Sequence, residues 1–77
     1  MRKSQSPHSN DPFARNLRAA IAEKGMTQFD LAFKVGLHLS AISCYCTGLH
    51  FPRPDKIRKM ADALDVPAYK LLEGVLL

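Results

Sequence analysis

The chain has no window approaching about 18 consecutive apolar residues, which excludes a membrane-spanning helix. Its opening, MRKSQSPHSNDP, has two early positive charges but no apolar run behind them, so it does not read as a secretory signal. Cysteine is scarce. The only two, Cys44 and Cys46, are too few and too close together for a disulfide framework. Alternating β-strand patterning and internal repeats are absent. So are a carboxylate pair, a nucleophile elbow and a glycine-rich phosphate loop. With 77 residues there is also little room for a deep substrate pocket, so the chain is not expected to be an enzyme, to hold a cofactor or to bind a small-molecule ligand. One more gap is local: no Asp, Glu, Lys or Arg occurs between Val35 and Pro52.

What is present points to one small all-α domain. Hydrophobic residues make up 47% of the chain and charged residues 23%, a globular composition. Lys and Arg number 11 against 7 acids, with a sequence pI of about 9.4, which favours an anionic partner such as nucleic acid. Residues 1–10 are polar and unpatterned and read as a flexible N-terminal tail, leaving 11–77 as the domain. Cytoplasmic localisation is the default expectation, and the final KLLEGVLL leads us to expect no effector or protease domain after it.

Five short helices follow from the pattern. Asp11 is placed to cap a first helix with Pro12 at its first position, where the missing N–H is harmless. Phe13, Leu17, Ala20 and Ile21 then mark one helical face, and Gly25 a stop. Thr27 caps a second helix over Phe29 to Val35, with Leu31, Ala32 and Val35 inward, and Gly36 interrupts it. A third runs over about 39–47, with Ile42 and Tyr45 inward and Gly48 at its end. The stretch LHFPRP is a loop. Pro54 opens a fourth helix, with Asp55 at the positive end of its dipole and Ile57, Met60, Ala61 and Leu64 as its stripe. Pro67 begins a fifth, holding Leu71 and Leu72, with Gly74 after it.

Two helices separated by Gly36 and about two more residues form a helix-turn-helix pattern. The segments TQFDLAFKVG and SAIS, Gly48, Pro52 and ADALDVP together resemble the Cro/repressor type of helix-turn-helix domain, over about Phe13 to Leu72. The resemblance implies a compact five-helix bundle of the lambda-repressor-like kind, a sequence-specific DNA-binding transcriptional regulator, and binding to double-stranded DNA as a homodimer. Carried over by position, it implies base contacts from Leu39, Ser40, Ser43 and Cys44 on a recognition helix in the major groove. It implies backbone contacts from Gln28, His38, Thr47, Gly48, Arg53 and Lys56. Arg58 and Lys59 are read as solvated surface. Helix five with Val75, Leu76 and Leu77 is the expected two-fold interface, which would set recognition helices about 34 Å apart.

Departures from the family pattern are informative. His38 stands where Ser or Thr commonly caps the recognition helix, and is a poorer cap. Cys44 replaces a long polar residue, and Leu49, His50 and Phe51 replace basic ones. A buried Arg–Glu pair common in the family is matched here by Ile21 and Cys46, both apolar, and the paired change predicts that the two meet in the core. His38, Cys44, Cys46 and His50 invite a zinc reading, but Cys44 and Cys46 point roughly 200° apart on one helix, so no metal site is expected. Cys46 reads as a small core residue and Cys44 as an exposed thiol. The neutral run GLHLSAISCYCTGLHF supports a second reading: a protein-interaction module on the same fold, antirepressor- or antitoxin-like, with little DNA binding.

Overall fold

In a computed structural model that describes residues 11–76, the chain forms five α-helices: α1 (Pro12–Glu23), α2 (Gln28–Val35), α3 (Leu39–Thr47), α4 (Pro54–Leu64) and α5 (Ala68–Leu72). The expected tail at 1–10, and Leu77, lie outside the described residues. No helix among the described residues is long and apolar enough to cross a membrane.

Local chemistry sets the helix ends. The Asp11 carboxylate accepts from the Ala14 amide at 3.0 Å, and Pro12 takes the first position, as its fixed φ allows. At α2 the cap is reciprocal. The Thr27 hydroxyl accepts from the Asp30 amide at 3.0 Å, and the Asp30 carboxylate accepts from the Thr27 amide at 2.9 Å. Gly36 ends α2 at φ 73°, a conformation in which a Cβ would be strained, and the Leu37 amide closes on the Ala32 carbonyl at 3.0 Å. This single left-handed residue turns the chain between α2 and α3. Asp65 ends α4 at φ 60°, a position that sequence patterning does not mark because glycine is the usual occupant.

The apolar stripes meet in one core. Phe13, Leu17 and Ile21 of α1 face Leu31 of α2, Ile42 and Cys46 of α3, Met60 and Leu64 of α4, and Leu71 of α5. Each large side chain buried this way contributes about 1.5–3 kcal/mol. Helix α1 packs on α3 and α5, α2 on α3 and α4, and α4 on α5. Tyr45, expected inward, is half-buried at the core's edge, because Ile42 and Cys46, four residues apart, already occupy the inner line of α3. Ile21 and Cys46 are both buried in this core cluster.

A polar tie holds the bundle's end. Asn16 of α1 donates through its one amide nitrogen to the carbonyls of Leu71 (2.9 Å) and Glu73 (2.8 Å), fixing the end of α5 to α1. Asn16→Ala removes both bonds and leaves the Leu71 carbonyl short of a partner. We expect a loss of about 1–2 kcal/mol in urea unfolding, with amide exchange quickened first in α5.

Candidate nucleic-acid interface

Helix α3 lies across α1 and α2 on its inner side and presents its leading end outward. His38, Leu39 and Ser40 are exposed, and Thr47 is exposed at the far end. Ser43 and Cys44 are half-buried on the same helix, so Cys44 is more covered than the exposed thiol expected from its spacing. His38 occupies the cap position of α3 with no side-chain hydrogen bond, so its imidazole does not cap the first amides of α3.

The α2 end beside it is different. Gln28, its first residue, is half-buried. The capping box uses the Thr27 and Asp30 amides, which leaves those of Gln28 and Phe29 as donors for an outside acceptor. Asp30 places a carboxylate at this same end, so an approaching phosphate meets two amides and one opposing charge.

At the other end of α3 the Cys44 carbonyl is crowded with donors: the amides of Gly48, Leu49 (3.0 Å) and His50 (3.3 Å), and the Thr47 hydroxyl at 3.2 Å. The Thr47 hydroxyl proton is thus taken up by the helix's own backbone, which leaves its oxygen as an acceptor on an exposed residue. Arg18 of α1 also donates from its guanidinium to the Cys46 carbonyl, placing a cation at the negative end of the α3 dipole. Sequence patterning does not anticipate this contact, since Arg18 was unremarkable beside the apolar Ile21 three residues on.

Fixed positive charge lies beyond the turn. Arg53 is exposed at the cap position of α4, with Arg58 and Lys59 exposed further along. Lys56 is half-buried and lies 3.7 Å from the Asp55 carboxylate. Arg53 is therefore the less encumbered of the two expected phosphate ligands. The residues expected to meet bases and those expected to meet phosphates come from adjoining segments: the start of α2, α3, and the start of α4. Among the described residues no group of three or more His, Cys, Asp or Glu side chains could hold a metal ion.

Residues 17–71 match the helix-turn-helix family. The chain belongs to the Cro/repressor-type helix-turn-helix family. Members of this family are DNA-binding transcriptional regulators. The restriction-modification controller protein C.AhdI from Aeromonas hydrophila superposes with a TM-score of 0.75 at 33% identity, covering 78% of this chain and 91% of that one. A hypothetical transcription factor, NHTF, from Neisseria matches at 0.75 and 32% identity, over 94% and 86%. The SOS-response transcriptional repressor LexA from Eubacterium rectale matches at 0.76 over 97% and 81%, and at 22% identity this likeness is one of fold. No curated protein sequence matches significantly.

Within the family frame the Cys46 thiol is chemically quiet. Burial pushes it up from 9.0 to about 11, opposed in part by the positive charge of Arg18. An unfolded chain ionises this thiol near 9.0 while the folded one keeps its proton to about 11. The unfolded state thus binds fewer protons in that window, and stability falls as pH rises through it. We expect a loss of up to roughly 2–3 kcal/mol between those limits, absent in Cys46→Ala, measured by urea unfolding across alkaline pH. Under native conditions a thiol reagent should modify Cys44 first and Cys46 only at the rate of unfolding.

Proposed function

We propose that the chain is a small sequence-specific DNA-binding regulator, Cro-like or a repressor, that reads the major groove with α3. The single observation that carries this reading is the exposure of His38, Leu39 and Ser40 at the leading end of α3, in a domain whose family binds DNA. Ser40 offers a hydroxyl to a base edge, Leu39 can pack on a thymine methyl, and Ser43 and Cys44 line the following turn. Gln28, His38, Thr47, Gly48, Arg53 and Lys56 are assigned to the sugar-phosphate backbone on either side. Only Arg53 and Lys56 among the assigned residues carry positive charge, so phosphate contacts outnumber charge neutralisations and the salt dependence is modest for this class.

The chain is proposed to bind as a homodimer through α5 and the segment after it. Val75 is half-buried and Leu76 is exposed, which supports an apolar contact at that end. The experiment is fluorescence anisotropy of a labelled random duplex titrated at two salt concentrations. Affinity that falls with salt, and a subset of duplexes bound far more tightly, is the expected result. Salt-independent affinity or no binding removes the proposal.

One observation favours a second reading. Leu39, Leu49 and Phe51 are 46%, 57% and 50% exposed along the charge-free segment, a surface suited to a protein partner. Phe51 is partly spoken for, because its ring stands edge-on to buried Phe13 at 5.1 Å between centroids. A chain that binds no duplex, and whose function survives Arg53→Ala with Lys56→Ala, would be this interaction module.

A further inference from the structure

Helix α2 carries an apolar pair that neither the core nor the DNA reading uses. Phe29 and Phe33 are 63% and 82% exposed. Four residues apart, they stand on one side of the helix, away from buried Leu31 and Ala32. Asp30 and Lys34 share that spacing and form a second stripe next to the first. A shallow groove runs beside the rings, edged by Lys24 and Met26.

We propose that this face of α2 docks on the same face of a second copy of the chain, the two α2 helices antiparallel about a two-fold axis. The argument is charge complementarity under symmetry. In a two-fold contact, residue i meets residue j of the copy and j meets i. Antiparallel pairing lays each stripe on its own image in reverse order. Phe29 then meets Phe33 of the second copy, and Asp30 meets Lys34 of the second copy, each pair occurring twice. A stripe of one sign would repel its image; this one attracts it. The Thr27 amide occupies Oδ2 of Asp30, which leaves Oδ1 for the incoming ammonium.

Size sets the strength. A fully covered Phe contributes about 150–250 Å², so these two exposed rings supply roughly 300 Å² per copy. A stable interface needs about 800 Å² per partner. The contact is therefore weak alone and forms where copies are crowded together. It does not depend on the DNA reading, and it is separate from the α5 contact proposed above.

The test uses the full chain without DNA. Backbone amide shifts are followed on serial dilution, with sedimentation over the same range. The expected result is concentration-dependent shifts clustered over residues 29–34, and an association weakened on the order of tenfold or more by Phe33→Glu. Lys34→Glu, which sets like charges against each other twice, should weaken it as well and serves as the second variant. Circular dichroism should show both variants folded, since both positions are exposed. Dilution shifts confined to α5, no shifts at all, or a folded Phe33→Glu that associates like the parent chain would overturn the proposal.

Discussion

Ile21→Arg alone is expected to destabilise the domain by about 3–5 kcal/mol, because it strands a cation in a closed apolar core. Ile21 lies in the core beside no acid: among the described residues no buried side chain is charged. For a domain this size, each kcal/mol moves the melting temperature by about 4–8 °C, so the variant should melt at least ten or so degrees lower. Cys46→Glu alone is expected to cost less. The Arg18 guanidinium already reaches the Cys46 carbonyl and stands ready to meet a carboxylate there. The double variant restores the ion pair common in the family, and should recover most of the loss, to within about 2 kcal/mol of the parent chain. Urea unfolding of the four proteins gives the coupling energy directly. Losses that simply add would mean that positions 21 and 46 do not meet, and that the paired apolar change in this sequence is coincidence.

Arg53→Ala with Lys56→Ala is expected to reduce the slope of log affinity against log salt by more than about 1 but less than about 2, since each phosphate neutralised contributes about 0.9 and Asp55 offsets part of the Lys56 charge. At low salt the loss in affinity should reach tenfold or more, and should be nearly the same for every duplex, because phosphate contacts carry no sequence information. The two residues do not contribute equally. Lys56 shares its charge with Asp55 at 3.7 Å and is half-buried, whereas Arg53 is exposed. Arg53→Ala alone should therefore account for most of the change. Anisotropy titrations of the three variants at several salt concentrations measure it. An unchanged slope in the double variant would remove the start of α4 from the interface.

The helices were legible because each is bounded by residues whose chemistry is local. Asp11 with Pro12, Thr27, Gly36 and Pro54 each act within a few residues of themselves, and the structure uses them where expected. The apolar stripes were legible for the same reason, since helical periodicity places them without reference to the rest of the fold. What spacing could not show is reach. Asn16 bonds carbonyls 55 and 57 residues away, and Arg18 bonds one 28 residues away. Spacing places Tyr45 inward with Ile42, but the inner line of α3 is filled by Ile42 and Cys46, and Tyr45 packs at its edge. Phe29 and Phe33 fall off the inward stripe of Leu31, Ala32 and Val35, but spacing alone does not show that nothing else in the fold covers them. At the candidate interface, the identities of the residues on α3 came from family resemblance. The fold exposes Leu39 and Ser40 among them and leaves Ser43 and Cys44 half-buried. The encumbrance of Lys56 by Asp55 and the bond from the Thr47 hydroxyl to the Cys44 carbonyl were visible only in the coordinates.

The central claim is that the leading end of α3 enters a duplex and reads it. Selection of bound duplexes from a random pool, repeated with Ser40→Ala, tests this most directly. The account predicts convergence on one motif, with half-sites about one helical turn apart if the chain binds as a dimer, and a relaxed preference at one base position for the variant. A pool that stays random at low salt, or a motif that Ser40→Ala and Leu39→Ala leave unchanged at every position, would contradict it.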